Sequence, residues 1–215
     1  DKNLIITQLE FSFIKKIILL ENFSIFFTVL CVMLFVNAFN MFDGVNGQAA
    51  IYSIFIFVIL FYSILNNQLI LFFVIPLIFF IFYNLKEKMF LGNSGSNLIS
   101  AIIAQLLILS YNQNYFFADE ILFLLIFPGL DMLRLFIERL LKKKNPFEAD
   151  RNHLHHILLK KNNIYLTLTY TVGIQVLLYL LYLIYDYKII YFVIFNIFYY
   201  ISLLLILKKL HNAKK

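Results

Sequence analysis

Three polar segments interrupt an otherwise apolar chain, and each carries residue types that can bind phosphate or a hard cation. The first runs from Asn37 to Gly47 and has Asn40, Asp43 and Asn46 at intervals of three residues. At the end of a helix this spacing would keep the three side chains on one side. Carboxylate and amide oxygens are ligands that magnesium accepts. Asn and Gly also end helices as C-caps, so a structural role is the alternative.

The second and third segments carry residue types that suit an anion. Leu91 to Asn97 is rich in Gly, Ser and Asn and is predicted to form a flexible turn just before a helix. Backbone amides at a helix N-terminus favour phosphate, although Ser and Asn are also ordinary N-cap residues. The segment from Asn145 to His156 holds Arg151 and three of the four histidines. A His-x-His-His run can serve acid–base chemistry or grip a diphosphate, and a solvated basic loop is the alternative.

The elements that position these segments are predicted to be membrane-spanning helices. The chain is 62% hydrophobic and 14% charged, whereas soluble domains carry about a quarter charged residues. We expect an all-α membrane protein that forms a single integral membrane domain over residues 1–215. Apolar runs near spanning length indicate about seven transmembrane helices. They are Phe23 to Met41, Ala49 to Leu65, Leu69 to Tyr83, Leu98 to Tyr111, Ile121 to Leu141, Ile164 to Tyr185 and Ile189 to Leu207.

The N-terminal residues differ from the apolar runs that follow. Polar and apolar residues alternate around Leu9 to Phe13, a period of two that predicts a short hairpin within residues 1–22. An interfacial helix is the alternative. In the fifth predicted span, Asp131 precedes Arg134 by one turn. The two side chains either pair within the bundle or Asp131 serves the site, because ionisable groups inside a membrane are functional candidates.

Basic residues set the orientation of the predicted spans. Seven Lys and Arg residues lie in the His-rich loop at 140–163 and the helix end before it, and four more lie in the tail from Lys208 onward. Such loops are cytoplasmic by the positive-inside rule. Counting back from them places all three polar segments on the cytoplasmic side and the hairpin on the periplasmic side. The pattern therefore predicts one site built from three segments, suited to phosphoryl transfer.

These segments resemble the motifs of the polyprenyl-phosphate N-acetylhexosamine-1-phosphate transferases, glycosyltransferase family 4. Asn37 to Gly47 is similar to their Asn-Ala-Phe-Asn-x-x-Asp-Gly-x-Asp-Gly motif, and Phe90 to Ser96 to Phe-hydrophobic-Gly-Asp-x-Gly-Ser. Asn145 to His156 is similar to their Ser-Pro-Phe…Asp-Arg-x-His-hydrophobic-His-His loop. Asp131 and Arg139 fall where the family has Pro-x-x-Asp and a basic helix end. Order and spacing agree from about residue 4 to the C-terminus, and the His loop is similar to that of the branch that starts O-antigen, teichoic acid or capsule glycans.

The resemblance implies a reaction and its partners. The sugar 1-phosphate of a UDP-N-acetylhexosamine would pass to undecaprenyl phosphate or another polyprenyl phosphate, releasing UMP, with Mg²⁺ required and Mn²⁺ as a second choice. The partners would be the nucleotide sugar, the polyprenyl phosphate lipid and the membrane, with no nucleic acid and with a homodimer left open. The site would face the cytoplasm at the inner membrane of a bacterium.

The resemblance also assigns roles to residues of this chain. Asp43 would be a catalytic and metal-binding carboxylate, with Asn40 and Asn46 beside it and Asn93 as a further metal ligand. The substrate would be held by residues that can bond its phosphates or its sugar and base: Asn84, Arg139, Arg151, His153, His155 and His156.

This sequence departs from the family pattern in three ways. The family's adjacent Asp pair is absent, so the chain is expected to be a C-terminal part that is inactive alone. Asn46 stands where bacterial members have Asp, although eukaryotic members have Asn there. Asn93 replaces a metal-binding Asp, and an amide oxygen neutralises no charge on a cation. One alternative is therefore a catalytically impaired relative that binds nucleotide sugar or lipid phosphate, and another is a membrane transport or assembly subunit.

Overall fold

The computed structural model describes residues 2–63, 68–145, 152–185 and 187–212. These residues form a helical bundle preceded by a two-stranded hairpin, β1 (Gln8–Phe11) and β2 (Ile14–Leu19). The helices are α1 (Ser24–Phe42), α2 (Gln48–Ser63), α3 (Leu71–Asn84), α4 (Gly92–Asn112), α5 (Ala118–Leu141), α6 (Leu154–Leu159), α7 (Ile164–Leu168), α8 (Ile174–Tyr185) and α9 (Ile189–Asn212). A π-helical turn, Thr169–Gly173, joins α7 and α8 into one continuous rod.

The described helices include four that are long and apolar enough to cross a membrane. They are Glu21–Phe42, Gly92–Asn112, Ile164–Tyr185 and Ile189–Lys209. Helices α2 and α3 are apolar but shorter, and α5 carries acidic and basic residues along its length. The chain is therefore a mostly helical membrane protein, and the predicted count of about seven spans is not confirmed.

The fourth predicted span begins six residues earlier than expected. Helix α4 starts at Gly92, so the second polar segment forms its first turns and not a loop before it. The prediction of a separate turn was wrong because the serines satisfy themselves inside the helix. The Ser96 hydroxyl donates to the carbonyl of Asn93 at 3.2 Å, and the Ser100 hydroxyl donates to that of Ser96 at 2.8 Å. Small polar residues can extend an apolar helix in this way.

The N-terminal hairpin is antiparallel, as the alternating sequence predicts. Gln8 pairs with Leu19 and Phe11 with Ile14, and the register shifts between Leu9 and Phe11. It is attached to the end of the bundle where α4 finishes. The Tyr111 hydroxyl donates to the carbonyl of Gln8 at 3.0 Å and accepts from an N–H of the same strand at 2.8 Å.

Helix α5 holds the hairpin from its own first turn. The carboxylate of Asp119 is buried and accepts from the Ser12 N–H at 2.9 Å and from the Ser12 hydroxyl at 2.5 Å. The hairpin is therefore bound to the bundle by buried polar contacts at one end. The candidate site lies at the other end, where α1, α3 and α5 finish and α4 begins.

Packing of aromatic and aliphatic side chains holds the bundle together. Helix α1 packs against α4 and α5, α5 packs against α9, and α2 packs against α3. Phe39, Tyr52 and Phe127 are fully or almost fully buried at the centre. The outer surface is apolar as well, with Phe72 73% exposed, as expected where helices face lipid. Buried amides of Gln175 and Asn196 join α8 to α9 through reciprocal hydrogen bonds of 2.6 and 2.9 Å.

Candidate active site

The first polar segment leaves the helix before its carboxylate. Helix α1 ends at Phe42, and Asp43 adopts φ −76° and ψ 56° as its C-cap. Two tight turns follow, in which the Gly44 N–H donates to Phe42 at 2.9 Å and the Gln48 N–H donates to Val45 at 3.0 Å. The prediction that Asn40, Asp43 and Asn46 share one helical face was wrong, because Asp43 is already outside the helical conformation.

Asn84 fixes the end of this loop. Its Oδ1 accepts from the Gly47 N–H at 2.5 Å, and its Nδ2 donates to the carbonyl of Met89 at 2.6 Å. Gly47 has φ +83°, a left-handed conformation that favours glycine, and a Cβ there would also lie 2.9 Å from Leu85 Cδ2. The Asn84 side chain is thus engaged at both ends by backbone. Its predicted contact with substrate stays a prediction.

A hydrogen bond joins the first segment to the second. The Ser96 hydroxyl, buried in the first turns of α4, donates to Asn40 Oδ1 at 2.7 Å. Asn93 lies one turn before Ser96, and its own side chain is exposed. The predicted meeting of the two segments is therefore observed at Asn40. The metal-binding role of Asn93 stays a prediction.

The His-rich segment packs directly on the first segment through His155. A Cβ on Gly44 would lie 2.0 Å from Nε2 of His155 and 2.8 Å from its Cδ2, so glycine is required for this contact. The ring also meets Phe42 edge to face at 6.5 Å. The two glycines thus allow two different close contacts: His155 lies against Gly44, and Leu85 lies against Gly47.

Burial sets the electrostatic character of His155. The residue is 1% exposed, and burial lowers the pKa of its imidazole to about 3, with His156 as the next cause. At neutral pH the ring is therefore uncharged. Within the described part of the chain its Nε2 has no hydrogen-bond partner. His155 therefore cannot act as a resident cation, and its substrate-binding role stays a prediction.

The three histidines of the segment form one cluster. The rings of His153 and His155 are stacked with centroids 5.4 Å apart and planes within 6°. The ring centroids of His155 and His156 are 4.4 Å apart. Nδ1 of His153 is 2.8 Å from Oδ2 of Asp131. Asp131 also pairs with Arg134 at 3.0 Å, so the pairing interpretation is confirmed. Its service to the site stays a prediction.

Two arginines were predicted to bind substrate. Arg139 is in the last turn of α5 and is 5% exposed, so its guanidinium is already inside the protein. Arg151 lies outside the described residues. The substrate-binding roles of both stay predictions.

Asp43 is the carboxylate of the assembled loop. Burial raises the pKa of its side chain to about 6. No ion pair to it is formed by the side chains that the structure describes. A partly buried carboxylate without a counter-charge favours a proton or a bound cation. Asp43 is therefore the position of the loop where added positive charge would be stabilised most.

The described side chains do not form a complete magnesium site. Among them, no group of three or more His, Cys, Asp or Glu residues could hold a metal ion. The polar neighbours of Asp43 in the sequence motifs are the amides Asn40, Asn46 and Asn93. Hard cations bind amide oxygens, but most of their affinity comes from carboxylates and phosphates.

Sequence reasoning missed two polar residues of this region. Gln48 is fully buried at the first position of α2, and in the described part of the structure neither atom of its amide has a hydrogen-bond partner. The sequence pattern places it in a loop just before the predicted second span, which begins at Ala49, so its burial was not expected. Ser96 was part of a quoted motif without a role. The sequence offered no signal for its contact with α1, because the predicted fourth span began only at Leu98.

Comparison with known proteins identifies the family. The model of glycosyl transferase family 4 matches residues 2–111, just over half of the chain, and this range includes the first two polar segments. The chain belongs to glycosyl transferase family 4. No solved structure matches it significantly.

Curated relatives in family 4 extend the similarity to more of the chain. An undecaprenyl-phosphate alpha-N-acetylglucosaminyl 1-phosphate transferase of Thermotoga maritima is 34% identical over 147 residues, 68% of this chain and 47% of the relative. Proteins of the same name from Escherichia coli K12 and Yersinia pestis are 28% and 30% identical over 170 and 154 residues. These alignments cover 73% and 66% of this chain and 46% and 42% of the relatives. The chain spans about half the length of the curated relatives it matches.

Proposed function

We propose that this family 4 protein transfers the sugar 1-phosphate of a UDP-N-acetylhexosamine to a polyprenyl phosphate, with undecaprenyl phosphate as the preferred acceptor. An oxygen of the lipid phosphate attacks the sugar-linked phosphorus of the nucleotide sugar. The bond from that phosphorus to the bridging oxygen breaks, and UMP leaves. The lipid-linked diphosphate sugar would begin the synthesis of a surface glycan.

The meeting of three chain segments at one end of the bundle carries this proposal. Ser96 bonds Asn40, Asn84 bonds the Gly47 backbone, and His155 packs on Gly44. Phosphoryl transfer depends on positioning and on charge neutralisation more than on covalent chemistry by the protein. A loop fixed from three sides is suited to that task. The curated relatives are named undecaprenyl-phosphate alpha-N-acetylglucosaminyl 1-phosphate transferases, which supports the choice of acceptor.

In this proposal different residues contact different parts of the substrate. Asp43, at the end of α1, is the catalytic carboxylate beside the reacting phosphates. Arg139 and Arg151 neutralise the diphosphate, and His153 and His156 bond its oxygens. His155, uncharged because of its burial, contributes a hydrogen bond and supports the loop at Gly44.

Magnesium, with manganese as a substitute, remains part of the proposal. It would bring a positive charge to the phosphates at Asp43. The described side chains supply one carboxylate there and no complete ligand set. No step is therefore assigned to the metal, and its further ligands would have to include substrate oxygens.

We place the site at the cytoplasmic face of a bacterial inner membrane. The basic residues of the His-rich segment and the tail lie on that side by the positive-inside rule. The hairpin would then be periplasmic, because it is bound at the opposite end, to Tyr111 and Asp119. A nucleotide sugar is available on the cytoplasmic side, and the polyprenyl phosphate reaches the site from the bilayer.

Product formation tests the proposal directly. The protein as its gene encodes it would be placed in nanodiscs with undecaprenyl phosphate, magnesium and either UDP-N-acetylglucosamine or UDP-N-acetylgalactosamine. We expect UMP and a lipid-linked diphosphate sugar in equal amounts with at least one donor, by mass spectrometry. Nanodiscs without undecaprenyl phosphate are the control. UMP release that does not depend on the acceptor, or none with either donor, would overturn the proposal.

The second candidate function is binding of the nucleotide sugar without turnover. It is motivated by the small number of carboxylates in the first two motifs. Asn46 and Asn93 stand where the family pattern has Asp, which leaves Asp43 as the carboxylate of these motifs. In that case calorimetry would detect binding of the UDP-sugar while no UMP appears. Asn93→Asp, alone or with Asn46→Asp, would then create measurable turnover.

A further inference from the structure

Asp131 is the centre of a buried hydrogen-bond network that joins three elements. Its carboxylate is 4% exposed and accepts from the Tyr200 hydroxyl of α9 at 2.8 Å and from Arg134 of its own helix at 3.0 Å. The Leu154 N–H, at the start of α6, also donates to it, at 3.1 Å. His153 completes the set, with Nδ1 2.8 Å from Oδ2. The network therefore ties the His-rich segment to α5 and α9.

The two carboxylate oxygens of Asp131 have different tasks. Oδ1 accepts from Arg134, Tyr200 and the Leu154 N–H, whereas Oδ2 has His153 as its close partner. The more distant Leu154 N–H, at 3.4 Å, adds little to Oδ2. An ionised carboxylate is an acceptor without any hydrogen to donate, so the hydrogen of this contact must be on Nδ1. The charge of the carboxylate is retained because the guanidinium of Arg134 lies beside it.

This arrangement determines what the other ring nitrogen of His153 can do. With Nδ1 protonated, the uncharged ring has a lone pair on Nε2, and the charged ring has a hydrogen there. A carboxylate behind the ring also fixes its orientation, as in hydrolases where Asp orients a catalytic His. Nε2 can therefore share a proton with an oxygen of a phosphate ligand in either state of the ring.

We propose that Asp131 is a positioning residue that holds His153 in the Nδ1–H tautomer and thereby assigns its Nε2 to a phosphate oxygen of the substrate. The substrate in this inference rests on the proposed function. The tautomer does not, since it follows from the contacts of Asp131. The Asp131–His153 contact is then part of the site, whereas Arg134 and Tyr200 hold the carboxylate in place.

Nitrogen NMR of the protein as its gene encodes it tests the tautomer without any substrate. The chain described here has four histidines, so ¹⁵N-histidine labelling gives a tractable spectrum, and His153→Gln identifies the signal. We expect His153 to carry hydrogen on Nδ1 at neutral pH. A ring with hydrogen on Nε2 alone in the unmodified protein would overturn the inference, whatever the variants do.

Two variants test whether the tautomer matters to the reaction. Asp131→Asn turns an amide towards Nδ1 and should shift His153 to the Nε2–H form. In the enzyme assay we expect kcat to fall about 100-fold or more with little change in KM, because acid–base groups contribute about 10²–10⁴-fold. Tyr200→Phe removes one bond to Oδ1 and should keep the Nδ1–H form. An Asp131→Asn protein that shifts the tautomer and keeps full kcat would overturn the proposal, as would one that loses kcat while the tautomer is unchanged.

Absence of turnover in the unmodified protein would count against the proposed function and would leave the tautomer result standing. Loss of the fold in Asp131→Asn is detected by thermal unfolding. The spectrum of the unmodified protein then decides the inference.

Discussion

The imidazole of His155 lies against the backbone of Gly44, so close that a methyl group on Gly44 would be 2.0 Å from Nε2. The contact joins the His-rich segment to the loop that carries Asp43. Because a Cβ would overlap the ring itself, any side chain at position 44 must push the histidine away or move the loop. The second glycine of the motif does not duplicate this role, since Gly47 faces Leu85.

Gly44→Ala should therefore separate two parts of the site. We expect a loss of stability of about 1–3 kcal/mol, which is typical of overpacking, and a large loss of turnover. Gly129→Ala is the matched control, because a Cβ there meets no atom within 4 Å and the residue lies inside α5. Thermal unfolding and the UMP assay measure both effects. Full activity in Gly44→Ala would show that the His155 contact is dispensable.

Asn84 offers a second test of how the loop is held. Asn84→Ala removes the acceptor of the Gly47 N–H and the donor to Met89, and buried polar groups left unpaired cost about 1–3 kcal/mol each. We expect lower thermal stability and lower turnover together. In Asn112→Ala, an amide that bonds two backbone carbonyls at the hairpin end is removed instead, and turnover should persist. Equal losses of turnover in both variants would contradict a local role for Asn84.

Gln48 leads to the opposite expectation for stability. Its amide is fully buried, and in the described structure both of its polar atoms lack a partner. Gln48→Met keeps the length of the side chain and removes the desolvated groups, so the free energy of unfolding should rise by about 1–3 kcal/mol. Thermal unfolding without substrate measures this. A loss of stability would mean that a bound water or an undescribed residue satisfies the amide.

The pH dependence of the protein should reflect Asp43. Burial raises the pKa of this carboxyl to about 6 from its ordinary value near 3.8. The folded state thus binds the proton more tightly, so its contribution to stability is complete below about pH 4 and is lost as the pH rises through 6. If the ionised form is required, kcat/KM should increase with pH up to about 6 and then level off. Infrared titration of the carboxyl, with Asp43→Asn as the blank, locates the transition, and a midpoint near 4 would contradict the burial argument.

Much of the architecture could be predicted from local sequence. The alternation of polar and apolar residues near the N-terminus predicted the hairpin, and the apolar runs predicted the ends of most helices to within a few residues. The distribution of Lys and Arg predicted that the three polar segments lie at one end of the bundle, as they do in the structure. The end of α1 was harder, because spacing by three residues between Asn40, Asp43 and Asn46 suits a helix as well as a turn. The conformation of Asp43 is decided by tertiary contacts to the loop that follows it.

The contacts between segments could not be read from the sequence. Nothing in the spacing near Gly44 predicts that His155 rests on it, because that contact depends on how α5 and α6 pack against the end of α1. The contacts of Asn84 with the backbone of Gly47 and Met89 could not be predicted either, because an Asn in this position also suits a solvated turn. Asp131 was recognisable as an ionisable residue in an apolar run. Its bond to His153 required the fold, because the partner comes from a segment beyond the end of α5.

Under the proposed function, Asp43 serves a sugar-phosphate transfer at this site. The most direct measurement is acceptor-dependent UMP release by the Asp43→Asn protein, compared with the unmodified protein in the same nanodiscs. Asn is nearly isosteric and removes a partly buried charge, so the variant should remain folded and inserted, as thermal unfolding would verify. We expect turnover by the unmodified protein and none detectable in the variant. Turnover by a folded Asp43→Asn protein at the unmodified rate would contradict it.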